Sequence, residues 1–152
     1  MTIAIGDQAP DFTLPTAGGG SFTLSEALAD GPVVLVFFPL AFSGICQGEL
    51  CEIRDNLAVF DDARVRVVAC SIDSPYSLGT WAEQQGYTFT LASDMWPHGE
   101  VAQRYGVFVP ERGIATRASF LIRPDGVVTW SVVNAPNQAR PLEGYREALA
   151  AL

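Results

Sequence analysis

The residues best suited to chemistry lie together in Pro39-Leu40-Ala41-Phe42-Ser43-Gly44-Ile45-Cys46-Gln47-Gly48-Glu49-Leu50-Cys51. An apolar run, Val33 to Phe38, precedes the segment, and a helical pattern follows it. Cys46 therefore falls where a buried strand hands over to a helix. The free N–H groups and the positive dipole end of a helix N-terminus both stabilise a thiolate. Pro39 leaves the strand because it has no N–H for a ladder. Ser43, one helical turn before Cys46, carries a hydroxyl that can hydrogen-bond something held beside the sulfur. A second reading of the same residues is structural: a proline-ended strand, a serine N-cap and a cysteine that is merely a small core residue.

The remaining chemistry-bearing residues are scattered. Cys70 lies near the end of a second apolar run and reads as a packed core residue. His98 is the only histidine and reads as a loop or interface residue. A zinc site built from Cys46, Cys51, Cys70 and His98 is a weaker alternative on their spacing. Gly18-Gly19-Gly20 has no helix directly after it and no Lys-Ser/Thr, so it reads as a turn and not a phosphate loop.

The elements that must position Cys46 follow from periodicity. Val33 to Phe38 is apolar throughout and bounded by prolines, as in a strand buried on both faces. Cys46, Leu50, Ile53, Leu57 and Phe60 recur at steps of four and three, which predicts one helix packing that stripe on the sheet. Val65 to Ile72 predicts a parallel neighbouring strand, reached by the usual βαβ crossover. Thr13-Leu14 and Ser21 to Leu24 flank the glycine turn as a hairpin, and Ser25 looks like an N-cap for a short helix. Further helices are expected over about Leu78–Gln85, with Trp81 as an anchor to the sheet, and from Glu100. Val107 to Ile114 reads as loop or edge. Ala118–Ile122 and Val127–Val133 form an antiparallel pair across a turn at Arg123–Gly126. Asn134 to Pro141 is a polar loop, and Leu142–Leu152 a closing helix.

The 152 residues, 49% hydrophobic and 17% charged, suit one domain spanning 1–152 with a sizeable core. No apolar run approaches a membrane span. Nothing at the start reads as a secretion signal, so a cytoplasmic location is expected. A net charge of −8 with no lysine argues against a nucleic-acid footprint and against an anionic membrane surface. Three cysteines fit reactive or buried thiols better than a disulfide framework.

The run Pro39-x-x-x-Ser43-x-x-Cys46 resembles the active-site motif of the peroxiredoxins, Pro-x-x-x-Thr/Ser-x-x-Cys. The longer string F-F-P-L-A-F-S-G-I-C-Q-G-E-L is similar to the AhpE-like branch of that family. So are S-D-M-W-P-H-G-E-V-A-Q-R-Y-G-V-F and G-I-A-T-R-A-S-F. The resemblance implies an α/β thioredoxin-like fold in its peroxiredoxin variant, with a central mixed sheet flanked by helices. It implies a thiol-dependent peroxidase acting on hydrogen peroxide, organic hydroperoxides or peroxynitrite, without metal, haem or flavin. Cys46 would be the attacking thiolate. Arg117, in the segment that bears the family's active-site arginine, would favour S⁻ and hold the peroxide oxygens. Ser43 would bond the peroxide, Pro39 would shield the thiolate, and Glu49 would orient the arginine. Glu49 also reads as an ordinary first-turn helix carboxylate.

Cys51 departs from the AhpE pattern and resembles the resolving cysteine of the PrxQ/BCP branch. In an intact helix it points ~140° away from the Cys46 face and lies ~7.5 Å farther along the axis, beyond the ~7 Å Cα limit for a disulfide. It is thus expected on an exposed polar face, reaching Cys46 only if the helix unwinds. Gly48 between the two weakens that helix. The implied partners are a peroxide, a thiol reductant (thioredoxin, a glutaredoxin-like protein or a low-molecular-weight thiol) and a second copy in a homodimer. The apolar Met95-Trp96-Pro97 loop suits that last role. Two other classes stay open on the residues alone: a thiol–disulfide oxidoreductase, and a redox-sensing relay protein without peroxidase turnover.

Overall fold

A computed structural model describes all residues from Met1 to Leu152. Its first elements are β1 (Thr13–Pro15), β2 (Ser21–Thr23), α1 (Leu24–Leu28) and β3 (Val33–Phe37). Next come α2 (Gly44–Asp55), α3 (Leu57–Asp62), β4 (Arg66–Ser71), α4 (Pro75–Gln85), β5 (Thr90–Ser93) and α5 (Glu100–Arg104). The chain closes with β6 (Phe108–Val109), β7 (Ile114–Ala115), β8 (Arg117–Ile122), β9 (Val128–Asn134) and α6 (Leu142–Ala150).

The central sheet has five strands in the order β5-β4-β3-β8-β9. Strand β3 pairs in parallel with β4 and antiparallel with β8, so the sheet is mixed and β3 is its middle strand. Every residue of β3 is buried, as the uninterrupted apolar run requires. The period-two alternation of a strand divides its side chains between two cores. Val33, Leu35 and Phe37 join α1, α5 and the N-terminal hairpin on one face. Val34, Val36 and Phe38 meet Cys46, Leu50, Ile53, Phe60, Trp81 and Tyr145 on the other.

The helix expected to run unbroken through Phe60 is two helices. Asn56 leaves helical geometry, at φ −123° and ψ 25°, and its side-chain amide donates to the Glu52 carbonyl at 2.8 Å. An asparagine that bonds the nearby backbone competes with the helical ladder in this way. The short helix α1 starts at Leu24, with Thr23 and not Ser25 at its N-cap. The segment from Val107 to Ile114 forms a small two-stranded pair of its own, β6 with β7.

Candidate active site

Strand β3 ends at Phe37, and the chain must turn sharply to start α2 at Gly44. Phe42 makes part of that turn at φ 67°, a left-handed backbone that is costly for a bulky residue. The turn is held from outside. Asp73, just after β4, accepts the Ala41 N–H at 2.8 Å and the Ser71 hydroxyl at 2.6 Å. Ser93 at the end of β5 donates to the Asp73 carbonyl. The ends of three strands therefore fix the loop that carries the expected motif.

Cys46 is the third residue of α2 and is fully buried. Its backbone N–H has no backbone acceptor within the chain, as the first turn of a helix dictates. Ser43 occupies the N-cap position, but its hydroxyl donates to the Leu40 carbonyl at 2.9 Å and does not cap the helix. The lone pairs of Oγ and the first-turn N–H groups stay available at the start of α2. Pro39 is buried and leads the chain from the sheet into this turn.

One turn beyond Cys46, on the same face of α2, Glu49 is buried with a side chain only 5% exposed. It is not a solvated helix-start carboxylate. Its Oε1 accepts from Arg117 Nη1 at 2.6 Å and from Arg140 Nη2 at 2.9 Å. Its Oε2 accepts from the Arg140 backbone N–H at 2.6 Å and from Arg140 Nε at 3.0 Å. Burial pushes the Glu49 carboxyl up, but the hydrogen bonds and charge of Arg140, aided by Arg117, leave it below its ordinary value of 4.5.

Arg117 opens β8 and is buried. Its Nε donates to the Pro136 carbonyl at 2.6 Å and its Nη1 to Glu49, so Nη2 has no partner within the chain. Arg140, in the loop before α6, was not singled out by the sequence reading. Besides Glu49 it reaches the Phe37 carbonyl at 2.7 Å and the Ser119 hydroxyl at 3.0 Å. Burial alone would lower the Arg140 pKa; Tyr145, Glu49 and Cys46 together hold it above its ordinary value. No local pattern marks this arginine, because its carboxylate partner lies 91 residues away in the chain. Two guanidiniums and one carboxylate leave a net positive charge next to a thiol at a helix start. Such a charge can steady negative charge on a departing oxygen.

Cys51 is not on an exposed polar face. It is half-buried, with its sulfur 3.2 Å from the Tyr87 hydroxyl and 3.6 Å from Gln85 Oε1. Gln47 and Arg54, one turn to either side of it on α2, are partly buried and bond Trp81 and the Gln85 carbonyl of α4. Cys70 lies in the core on the opposite face of the sheet from Cys46. His98 is exposed and bonds the Gly113 carbonyl at 2.7 Å. No group of three or more histidine, cysteine or acidic side chains is arranged to hold a metal. No helix is long and apolar enough to cross a membrane.

Residues 5–131 match the model of the AhpC/TSA family. Alkyl hydroperoxide reductase E of Mycobacterium tuberculosis is 43% identical over 148 residues, 97% of this chain and 97% of that protein. Among solved structures, peroxidoxin BcpB of the same organism superposes with a TM-score of 0.83 at 32% identity, over 96% of this chain and 94% of the other. AhpC of Enterococcus faecalis gives a TM-score of 0.90 at 26% identity, over 99% and 92%.

Proposed function

Because the chain belongs to the AhpC/TSA family of peroxiredoxins and is a thiol-dependent peroxidase, we propose that Cys46 is its nucleophile and that Arg117, Arg140 and Glu49 organise the charge around it. One observation carries this reading. Of the three cysteines, Cys46 alone combines a helix-start position with the buried Arg117–Glu49–Arg140 cluster. The Cys46 thiolate attacks the nearer peroxide oxygen, the S–O bond forms and the O–O bond breaks. The departing oxygen takes up a proton and leaves as water or an alcohol. The Cys46 N–H, Ser43 Oγ and Arg117 Nη2 are the groups free to hold the two oxygens in line. Pro39 keeps water off the sulfur. Organic hydroperoxides are the substrate class that the mycobacterial relative's name carries; hydrogen peroxide and peroxynitrite undergo the same attack.

The product is a sulfenic acid on Cys46. Cys51 then resolves it: its sulfur displaces the sulfenic oxygen, which leaves as water with the thiol proton, and a Cys46–Cys51 disulfide forms. Two external thiol equivalents, from a thioredoxin, a glutaredoxin-like protein or a low-molecular-weight thiol, restore both sulfurs. The chain acts as one thioredoxin-like domain in the cytoplasm. It pairs as a homodimer through the exposed apolar residues Leu40, Phe42, Ile45, Met95 and Trp96.

Cys46→Ser tests the reading. The substitution is nearly isosteric, so the fold should persist while peroxide consumption with a dithiol reductant stops. Full turnover in that variant would overturn the assignment. In Cys51→Ser, oxidation of Cys46 should proceed, but the sulfenic acid should persist and go on to the sulfinic acid.

A further inference from the structure

Helix α2 carries a second stripe besides the one that faces the sheet. Gln47, Cys51 and Arg54, at steps of four and three, all meet the segment that ends α4 and leads into β5. Trp81 donates its indole N–H to Gln47 Oε1 at 3.2 Å. Arg54 Nη1 donates to the Gln85 carbonyl at 2.6 Å. Between them the Cys51 thiol donates to Gln85 Oε1, and the Tyr87 hydroxyl lies 3.2 Å from the sulfur and 3.4 Å from the Gln47 carbonyl. Tyr87 is itself locked. It is buried, its ring stands edge-on to Trp81 at 5.1 Å, and Trp81 packs under Phe38 and Phe42. Burial and the contact with Cys51 raise the Tyr87 pKa well above its ordinary value, so its oxygen keeps its proton and can donate.

Tyr87 thus meets α2 at two points, a carbonyl one residue after Cys46 and the sulfur five residues after it, and shares its one hydroxyl proton between them. Cys51 cannot close on Cys46 within an intact helix. To move, it must release Tyr87 and Gln85, and the first turns of α2 must unwind past the Gln47 carbonyl that Tyr87 holds. We propose that Tyr87 is a positioning residue that holds Cys51 against the end of α4 and so sets the pace at which Cys51 closes on the oxidised Cys46. This rests on the reading of Cys51 as the resolving thiol. The lifetime of the sulfenic acid, and with it the exposure of Cys46 to a second peroxide, is then governed by a contact remote from the peroxide itself.

Tyr87→Phe keeps the ring and removes only the hydroxyl. The variant and the wild type are mixed rapidly with a stoichiometric amount of hydrogen peroxide, quenched with an alkylating reagent and read by mass spectrometry. Oxidation of Cys46 should be unchanged. Disulfide closure should be faster by about two- to tenfold, the worth of one neutral hydrogen bond, and less sulfinic acid should form in excess peroxide. Gln85→Ala, which removes the other contact, should shift closure in the same direction. In a Cys51→Ser background, Tyr87→Phe should leave over-oxidation unaltered. Closure in Tyr87→Phe that is no faster than in wild type, or an effect that persists without Cys51, overturns the proposal. A wild type that never forms the Cys46–Cys51 bond overturns the reading of Cys51 beneath it.

Discussion

Cys46 and Cys70 are both fully buried, on opposite faces of one sheet. Their neighbours differ in sign. Cys70 stands in an apolar core with the buried carboxylate of Asp94 as its nearest charge influence. Burial first, and Asp94 second, push its thiol well above the ordinary range. Cys46 has the start of a twelve-residue helix under it and two guanidiniums bound to one carboxylate beside it. Burial near a carboxylate disfavours a thiolate at Cys70; Cys46, the nucleophile proposed above, is buried among fixed positive charges instead. The polypeptide builds the second environment by bringing α2, β8 and the loop before α6 onto Glu49.

Removing the centre of that cluster should have the largest effect. Glu49→Gln leaves two buried guanidiniums without their counter-ion, and should cost about 3–5 kcal/mol of stability near neutral pH. The Glu49 pKa is depressed, so its contribution is fully present above the ordinary value of 4.5 and is lost as pH falls through the folded value. Denaturant unfolding of the two proteins should therefore converge in acid. Arg117→Met keeps the Glu49–Arg140 pair and removes the guanidinium whose Nη2 has no partner within the chain. Stopped-flow oxidation of Cys46 should slow by about 10²–10³, the usual worth of one transition-state donor. An unchanged oxidation rate would separate Arg117 from the sulfur. Asp73→Ala acts at one remove. It deletes the carboxylate oxygen that accepts both the Ala41 N–H and the Ser71 hydroxyl. The loop before Cys46 should loosen, and its oxidation rate should fall by about tenfold through lost orientation.

The fold was legible where a pattern is local. The apolar run of β3, the stripe Cys46–Leu50–Ile53 and the turn at Arg123–Gly126 each report their own surroundings. The motif around Cys46 was legible for the same reason, and Arg117 through a segment of its own. Arg140, Asp73 and Tyr87 were not. Each acts on α2 or its leading loop from another part of the chain, with the bond to Glu49, Ala41 or Cys51 made only by the tertiary fold. Cys51 shows the limit most clearly. Helical geometry places it away from the core stripe, but only the position of Tyr87 shows that this side of α2 has a second neighbour.

The smallest effect is expected on the Cys70 side, and it has the opposite sign. Asp94 is buried and accepts the Val101 and Ala102 N–H groups at the start of α5. Burial outweighs those bonds and, with Glu100, raises its carboxyl above the ordinary value of 3.8. A carboxyl raised in the folded state favours folding below its unfolded value, and that gain is lost as pH rises through the folded value. Asp94→Asn breaks no ion pair and retains an acceptor for one of the two N–H groups, so its effect on stability should be smaller than that of Glu49→Gln. The stability of wild type relative to Asp94→Asn should decline as pH rises from below 3.8 through the raised folded value, whereas relative to Glu49→Gln it should rise as pH passes from the depressed folded value to 4.5. Chemical denaturation of the three proteins across those ranges reads both slopes. Parallel slopes would mean that the two carboxylates sit in like environments, and the contrast between the two faces of the sheet would fail at its weaker end. If the slopes are opposed, the buried carboxylate beside Cys70 and the charge cluster beside Cys46 are separately adjustable.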